Sequence, residues 1–130
     1  MQPPLGPCYL PVVPRVLIVD DDPLVLRIER VALTRAGFEV SAATSISEAY
    51  EELGRVGEAP VIALVDLFLG TESGLDLVRG LKARGFVGPV IGVSGDARSE
   101  EALAAGADGF LPKPFSPAQI VACVQSALSK

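Results

Sequence analysis

The sequence predicts an α/β fold, a parallel sheet of five strands covered by helices on both faces, and three observations carry that reading. Pro60-Val61-Ile62-Ala63-Leu64-Val65 is an almost unbroken apolar run ending on one carboxylate, Asp66. Without polar alternation such a run suits a strand buried on both faces, which occurs chiefly in parallel sheets under helices. A second run, Arg15-Val16-Leu17-Ile18-Val19, ends on Asp20-Asp21-Asp22, so two strands deliver acids to their C-terminal ends. Finally, strand-like and helix-like patterns alternate at near-regular spacing along the 130 residues, the signature of consecutive βα units.

Residues 1–14 (MQPPLGPCYLPVVP) hold five prolines and no periodicity, which predicts a Pro-rich, flexible leader, with docking through Leu10, Val12 and Val13 as the alternative. After the first strand, Pro23 falls where a first-turn proline is welcome, with Asp22 as N-cap. Leu24, Leu26, Ile28, Val31, Ala32 and Leu33 recur at helical spacing until Gly37 stops the helix. Phe38 to Ala43 alternates as a half-exposed edge strand. Ser45-Ile46-Ser47-Glu48 is a capping-box pattern for a helix ending near Gly54.

Beyond the central strand, Ser73 and Asp76 mark a helix start and Gly85 its end. Pro89-Val90-Ile91-Gly92-Val93 is a fourth buried strand ending on Ser94. A helix from about Ser99 to Ala105 stops at Gly106, and Gly109-Phe110-Leu111-Pro112 is a short fifth strand ending on Lys113. Ser116-Pro117-Ala118-Gln119 opens a last helix to about Leu128 with a capping box. Right-handed crossovers turn these units into a flavodoxin-like, doubly wound sheet of order 2-1-3-4-5 with five helices, strands one and three side by side at the switch point.

That order brings Asp20, Asp21 and Asp66 together, because neighbouring backbones lie only about 4.8 Å apart. Carboxylates so close repel unless a hard cation neutralises them; magnesium, or manganese in its place, takes oxygen ligands and pairs carboxylates with a phosphate oxygen. Composition narrows the alternatives. A net charge of −5 argues against direct nucleic-acid or anionic-membrane contact. No run reaches the ~18 apolar residues of a membrane span, and residues 1–14 lack signal-peptide regions. Two cysteines, Cys8 and Cys123, have neither disulfide-framework nor metal-finger spacing, so a reducing cytoplasm is expected. There is no histidine, which removes Ser-His-Asp triads, His metal sites and a phosphohistidine carrier together.

Over about residues 15–130 the chain resembles the response-regulator receiver domain (CheY-like) of two-component signalling. The matching stretches are Val16-Leu17-Ile18-Val19-Asp20-Asp21-Asp22, Ala63-Leu64-Val65-Asp66, Gly74, Val93-Ser94-Gly95, Gly106-Ala107-Asp108-Gly109-Phe110 and Leu111-Pro112-Lys113-Pro114-Phe115. The resemblance implies that Asp66 accepts a phosphoryl group from a sensor histidine kinase or phosphotransfer protein. It implies that Asp20, Asp21, Asp66 and the main-chain carbonyl of Phe68 hold the metal, and that Ser94 and Lys113 contact the phosphoryl oxygens. It further implies that Ser94 and Phe110 form a switch and that the Lys113–Pro114 peptide is cis. The chain would be a phosphorelay component rather than an enzyme on other substrates, catalysing only its own phosphorylation and dephosphorylation. Output would reach a downstream protein or domain through the fourth helix, fifth strand and fifth helix. Since Ser116–Leu128 has no Lys or Arg, a monomer or weak dimer is expected. Gly70 stands where the family often has proline, which predicts a less rigid loop, and Ser94 replaces a frequent threonine.

Each residue also has a plainer role. Asp20–Asp22 could be an N-cap and turn, Ser94 a helix-cap hydroxyl, Lys113 a solvated charge and Phe110 core; their joint placement at four strand ends favours the phosphoryl reading. An aspartyl phosphatase of the haloacid dehalogenase type needs a second Asp where Phe68 stands. An α/β-hydrolase elbow is missed by Gly92-Val93-Ser94-Gly95-Asp96. A flavodoxin would place three aspartates against its flavin phosphate. The open alternative is a pseudo-receiver, an interaction module not regulated by phosphorylation. For a phosphorylated chain, Phe68 and Asp96 are expected to flank the approach of the hydrolytic water, with bulky Phe68 slowing decay.

Overall fold

Val19 lies opposite both Ala43 and Val65 in parallel register, which makes the first strand the hinge of the sheet order. In the computed structural model, which describes residues 13–129 apart from 56, 58 and 97, the strands are β1 (Arg15–Val19), β2 (Glu39–Ala43), β3 (Ile62–Asp66), β4 (Val90–Ser94) and β5 (Gly109–Pro112). All pairings are parallel and the order is β2-β1-β3-β4-β5. The helices are α1 (Pro23–Arg35), α2 (Ile46–Leu53), α3 (Gly74–Ala83), α4 (Ser99–Ala104) and α5 (Pro117–Leu128). This is the doubly wound arrangement that the spacing predicts. The leader reading falls mostly on residues 1–12, which with Cys8 lie outside the described residues.

Alternation along the strands divides the core in two. Leu17, Val19, Ala63 and Val65 join Ala49 of α2, Leu77, Val78 and Leu81 of α3 and Ala102 of α4. Val16, Ile18, Ile62 and Leu64 join Leu26 and Leu33 of α1 with Ile120 and Val124 of α5. Every residue of β3 and β4 is buried, the outcome expected of unbroken apolar runs between two helical layers. Among the described residues no helix is long and apolar enough to cross a membrane.

The helix starts follow local chemistry. Leu24 N donates to the Asp22 carboxylate at 2.9 Å, and Ser116 and Gln119 cap each other reciprocally. At α2 only half of the expected box forms: Glu48 N donates to Ser45 Oγ at 3.1 Å, but the Glu48 carboxylate accepts from Thr44 N at 2.7 Å instead of from Ser45.

Two local readings change, and the loop after β3 takes a defined form. In α1 the core face is Leu26, Glu29, Ala32 and Leu33, whereas Leu24, Ile28 and Val31 are exposed. Helical phase explains it: residues 26, 29 and 33 share one stripe at 3.6 residues per turn, and residues 24, 28 and 31 form a second. That second stripe borders a groove against Pro117, Ala118, Val121 and Ala122 of α5. The loop that holds Gly70 is a short antiparallel ribbon, Phe68–Leu69 with Glu72–Ser73, and Gly70 takes the positive φ of +65° needed for its tight turn. Lastly, α4 ends one residue earlier than predicted, at Ala104. The Lys113–Pro114 peptide is cis.

Gly74 fixes how closely α3 approaches the end of β3. A Cβ there would lie 1.9 Å from the Asp66 carbonyl oxygen and 2.7 Å from Leu67 Cα, and Gly74 N donates to the Leu67 carbonyl at 2.9 Å.

Candidate functional site

Asp20 and Asp66 each stand one residue beyond the Val19–Val65 register pair, so the switch point sets their carboxylates side by side. Oxygens of Asp20, Asp21 and Asp66 lie within 4.8 Å of one another. Asp20 and Asp66 are buried and Asp21 is exposed. Backbone geometry holds them: Asp20 N donates to the Ala43 carbonyl at 3.0 Å, Asp22 N donates to Asp20 Oδ1 at 2.9 Å, and Phe68 N donates to Asp66 Oδ1 at 3.0 Å.

The remaining oxygens of the buried pair share one cation. Lys113 Nζ donates to Asp20 Oδ2 at 2.9 Å and to Asp66 Oδ2 at 3.0 Å. Lys113 is placed by its own backbone, whose N–H donates to the Ser94 carbonyl at 2.8 Å. Burial pushes the Asp20 carboxyl above its ordinary value, against the opposing pull of the Lys113 hydrogen bond. Burial draws the Lys113 ammonium down, but hydrogen bonds to Asp20 and Asp66 outweigh it and the net shift is upward. The cluster is therefore acidic, desolvated on one side and open at Asp21 on the other. A donor set made only of carboxylate oxygens fits a hard divalent cation.

Ser94 is buried, and its hydroxyl donates to Asp96 Oδ1 at 2.6 Å while accepting from Asp96 N at 3.2 Å. Phe110 is half-buried on the α2–α4 side of the sheet, and its register partner is Gly92. Phe68 is half-exposed in the ribbon, opposite Ser73.

Two further residues near the site lie outside the motifs of the sequence. The guanidinium of Arg98 lies 4.4 Å from the Phe68 ring centroid, and its Nε is 3.6 Å from Asp96 Oδ2 and 3.9 Å from Glu101 Oε1. Glu29 is buried on the core face of α1, and its Oε1 has no hydrogen-bond partner among the described residues. Burial first, then the nearby charge of Asp20, pushes its carboxyl up to about 8. Arg98 follows no motif, because its contact is with a residue on another connection. Glu29 could have been found by helical phase, since it falls three residues after Leu26 and four before Leu33.

Comparison with known proteins gives a consistent answer. A family model described as the response regulator receiver domain matches residues 16–125. The transcriptional regulatory protein AruR of Pseudomonas aeruginosa is 31% identical over 126 residues, an alignment spanning 91% of this chain and 50% of that protein. The transcriptional regulatory protein KdpE of Mycobacterium tuberculosis is 34% identical over 119 residues, 88% of this chain and 51% of that protein. This chain thus spans about half the length of these relatives. Among solved structures, a CheY-like response regulator receiver domain protein from Methanospirillum hungatei superposes with a TM-score of 0.82 at 29% identity, covering 91% of this chain and 95% of that one.

Proposed function

Because this chain belongs to the response regulator receiver domain family, we propose that it is a phosphorelay switch in which Asp66 is the phosphoacceptor. The donor is a phosphohistidine on a sensor histidine kinase or a phosphotransfer protein. An Asp66 carboxylate oxygen attacks phosphorus, the P–N bond to imidazole breaks, and the imidazole leaves with the bonding pair. Charge builds on the equatorial phosphoryl oxygens in such a transfer, so positioning and neutralisation supply most of the catalysis.

Lys113 supplies a fixed ammonium to that charge, and Ser94 a hydroxyl that exchanges Asp96 for a phosphoryl oxygen. Asp20, Asp21, Asp66 and the Phe68 main-chain carbonyl would hold magnesium or manganese, which when bound adds a second positive charge beside the transferred group. The single observation behind this reading is the Lys113 ammonium shared by two buried carboxylates next to the exposed Asp21.

Phosphorylation then draws Ser94 inward and lets Phe110 turn toward the gap, remodelling the surface of α4, β5 and α5. That surface engages a downstream protein or output domain, a role that fits relatives whose names describe transcriptional regulators about twice this chain's length. An α5 without basic residues favours a monomer or weak dimer.

Intact mass after incubation with magnesium and acetyl phosphate tests the proposal. The wild type should gain one phosphoryl group and Asp66→Ala none. A wild type without added mass would instead support an interaction module independent of phosphorylation.

A further inference from the structure

β3 and β4 are neighbours, with Asp66 opposite Val93, so the connections leaving them flank the phosphoacceptor from two sides. Phe68 stands on the first connection and Asp96 and Arg98 on the second. A chain of contacts bridges the two: the Ser94 hydroxyl to Asp96, Asp96 to the Arg98 guanidinium, and the guanidinium to the Phe68 ring. We propose that Arg98 is a positioning residue that holds the Phe68 ring beside Asp66 and thereby lengthens the life of the phosphoryl group. The assignment rests on Asp66 being the phosphoacceptor.

Loss of the phosphoryl group requires water to attack phosphorus in line. The P–O bond to Asp66 then breaks, the carboxylate is restored, and inorganic phosphate and a proton leave. Phe68 carries no group that could orient this water, so it acts through the space it occupies. Its backbone is tied to Asp66 by the Phe68 N–H, the residue is 49% exposed, and the Arg98 guanidinium lies 4.4 Å from the centre of its ring. The guanidinium fixes the ring: a planar, weakly hydrated cation stacks on an aromatic face, whereas a strongly hydrated ammonium sits over it only as a point charge.

Asp96 and Glu101 also contact the guanidinium, each more than half exposed and therefore a weak partner alone. The bridge also reports on the switch. When the Ser94 hydroxyl moves to a phosphoryl oxygen, Asp96 gives up its 2.6 Å hydrogen bond and Arg98 becomes its main partner. The gate should tighten in the phosphorylated state, when it is needed.

The test is phosphoryl decay, followed by intact mass after removal of acetyl phosphate, for wild type, Arg98→Ala, Arg98→Lys, Phe68→Ala and the Phe68→Ala/Arg98→Ala pair. Losing one exposed cation–π contact should speed decay about two- to fivefold in Arg98→Ala. Arg98→Lys, which keeps the charge but loses the plane, should lie closer to Arg98→Ala than to wild type. In the Phe68→Ala background, Arg98→Ala should add nothing. Side-chain NMR of the unphosphorylated chain supplies an independent readout: the Arg98 Hε resonance should lose its ring-current shift in Phe68→Leu.

Unchanged or slower decay in Arg98→Ala overturns the assignment. So does an equal acceleration with and without Phe68, which would mean that Arg98 acts through its own charge, and so does an Arg98 resonance indifferent to Phe68→Leu. A wild type that takes no phosphoryl group overturns the phosphoacceptor reading and the lifetime role together, whereas failure confined to the Arg98 variants leaves that reading standing.

Discussion

Lys113 Nζ lies 3.0 Å from Asp66 Oδ2, and this contact ties the end of the sheet's last strand to its centre. The same ammonium satisfies Asp20. Lys113→Met leaves two buried carboxylate oxygens without their donor, which should cost about 1–3 kcal/mol in metal-free protein. Denaturant melts should show that loss, and magnesium should recover part of it. Phosphorylation by acetyl phosphate should fall sharply in the same variant even with magnesium present.

Asp21 is the exposed member of the acidic cluster. Its replacement should therefore matter little to the metal-free fold and much to cation binding. Wild type should gain thermal stability as magnesium is added, while Asp21→Ala should melt near the wild-type metal-free temperature and respond weakly. A magnesium response unchanged in Asp21→Ala would place the cation elsewhere.

Glu29 is buried on α1, and its folded-state carboxyl sits near 8 against an ordinary 4.5. A carboxyl raised on folding stabilises the protein while protonated, so its contribution is complete below the ordinary value and is lost as pH rises through about 8. Wild-type stability should fall relative to Glu29→Gln between about pH 5 and pH 9, by an amount on the order of a few kcal/mol. Glu29→Gln keeps the shape and removes the ionisation, so the readout is the slope with pH. Parallel slopes for the two proteins would contradict a raised Glu29.

Gly74 lies against the Asp66 carbonyl. Gly74→Ala must move α3 away from β3 or distort the strand end, an overpacking cost of about 1–3 kcal/mol or more. The denaturant midpoint should drop with an unchanged slope. Phosphorylation should slow as well, because the displaced backbone carries Asp66, the proposed acceptor.

Phe110 faces Gly92 across the β4–β5 ladder, and its Cδ1 lies 3.6 Å from where a Gly92 Cβ would stand, with Ala102 and Leu67 packed on the same spot. If the ring moves on phosphorylation, a beryllium fluoride complex should shift amide resonances on α4, β5 and α5, and Phe110→Ala should shrink that response. Absence of shifts on this surface would remove the proposed switch.

The sequence by itself determined the scaffold. Unbroken apolar runs demand burial on both faces, and this makes β1, β3 and β4 inner strands; Asp22, Ser73 and Ser116 start helices through hydrogen bonds that span two or three residues. Acids at the ends of two adjacent strands were legible for the same reason, since strand order follows from regular βα spacing. What only the tertiary structure decided depends on side chains far apart in the chain. The sharing of Lys113 between Asp20 and Asp66, the stacking of Arg98 on Phe68, and the engagement of Ser94 by Asp96 are each set by rotamers and by where loops meet. Glu29 shows the boundary between the two. Its charge suggests solvent, but the phase of α1, fixed by Leu26 and Leu33 docking on the sheet, carries it into the core, because burying two large apolar side chains outweighs leaving one carboxyl protonated.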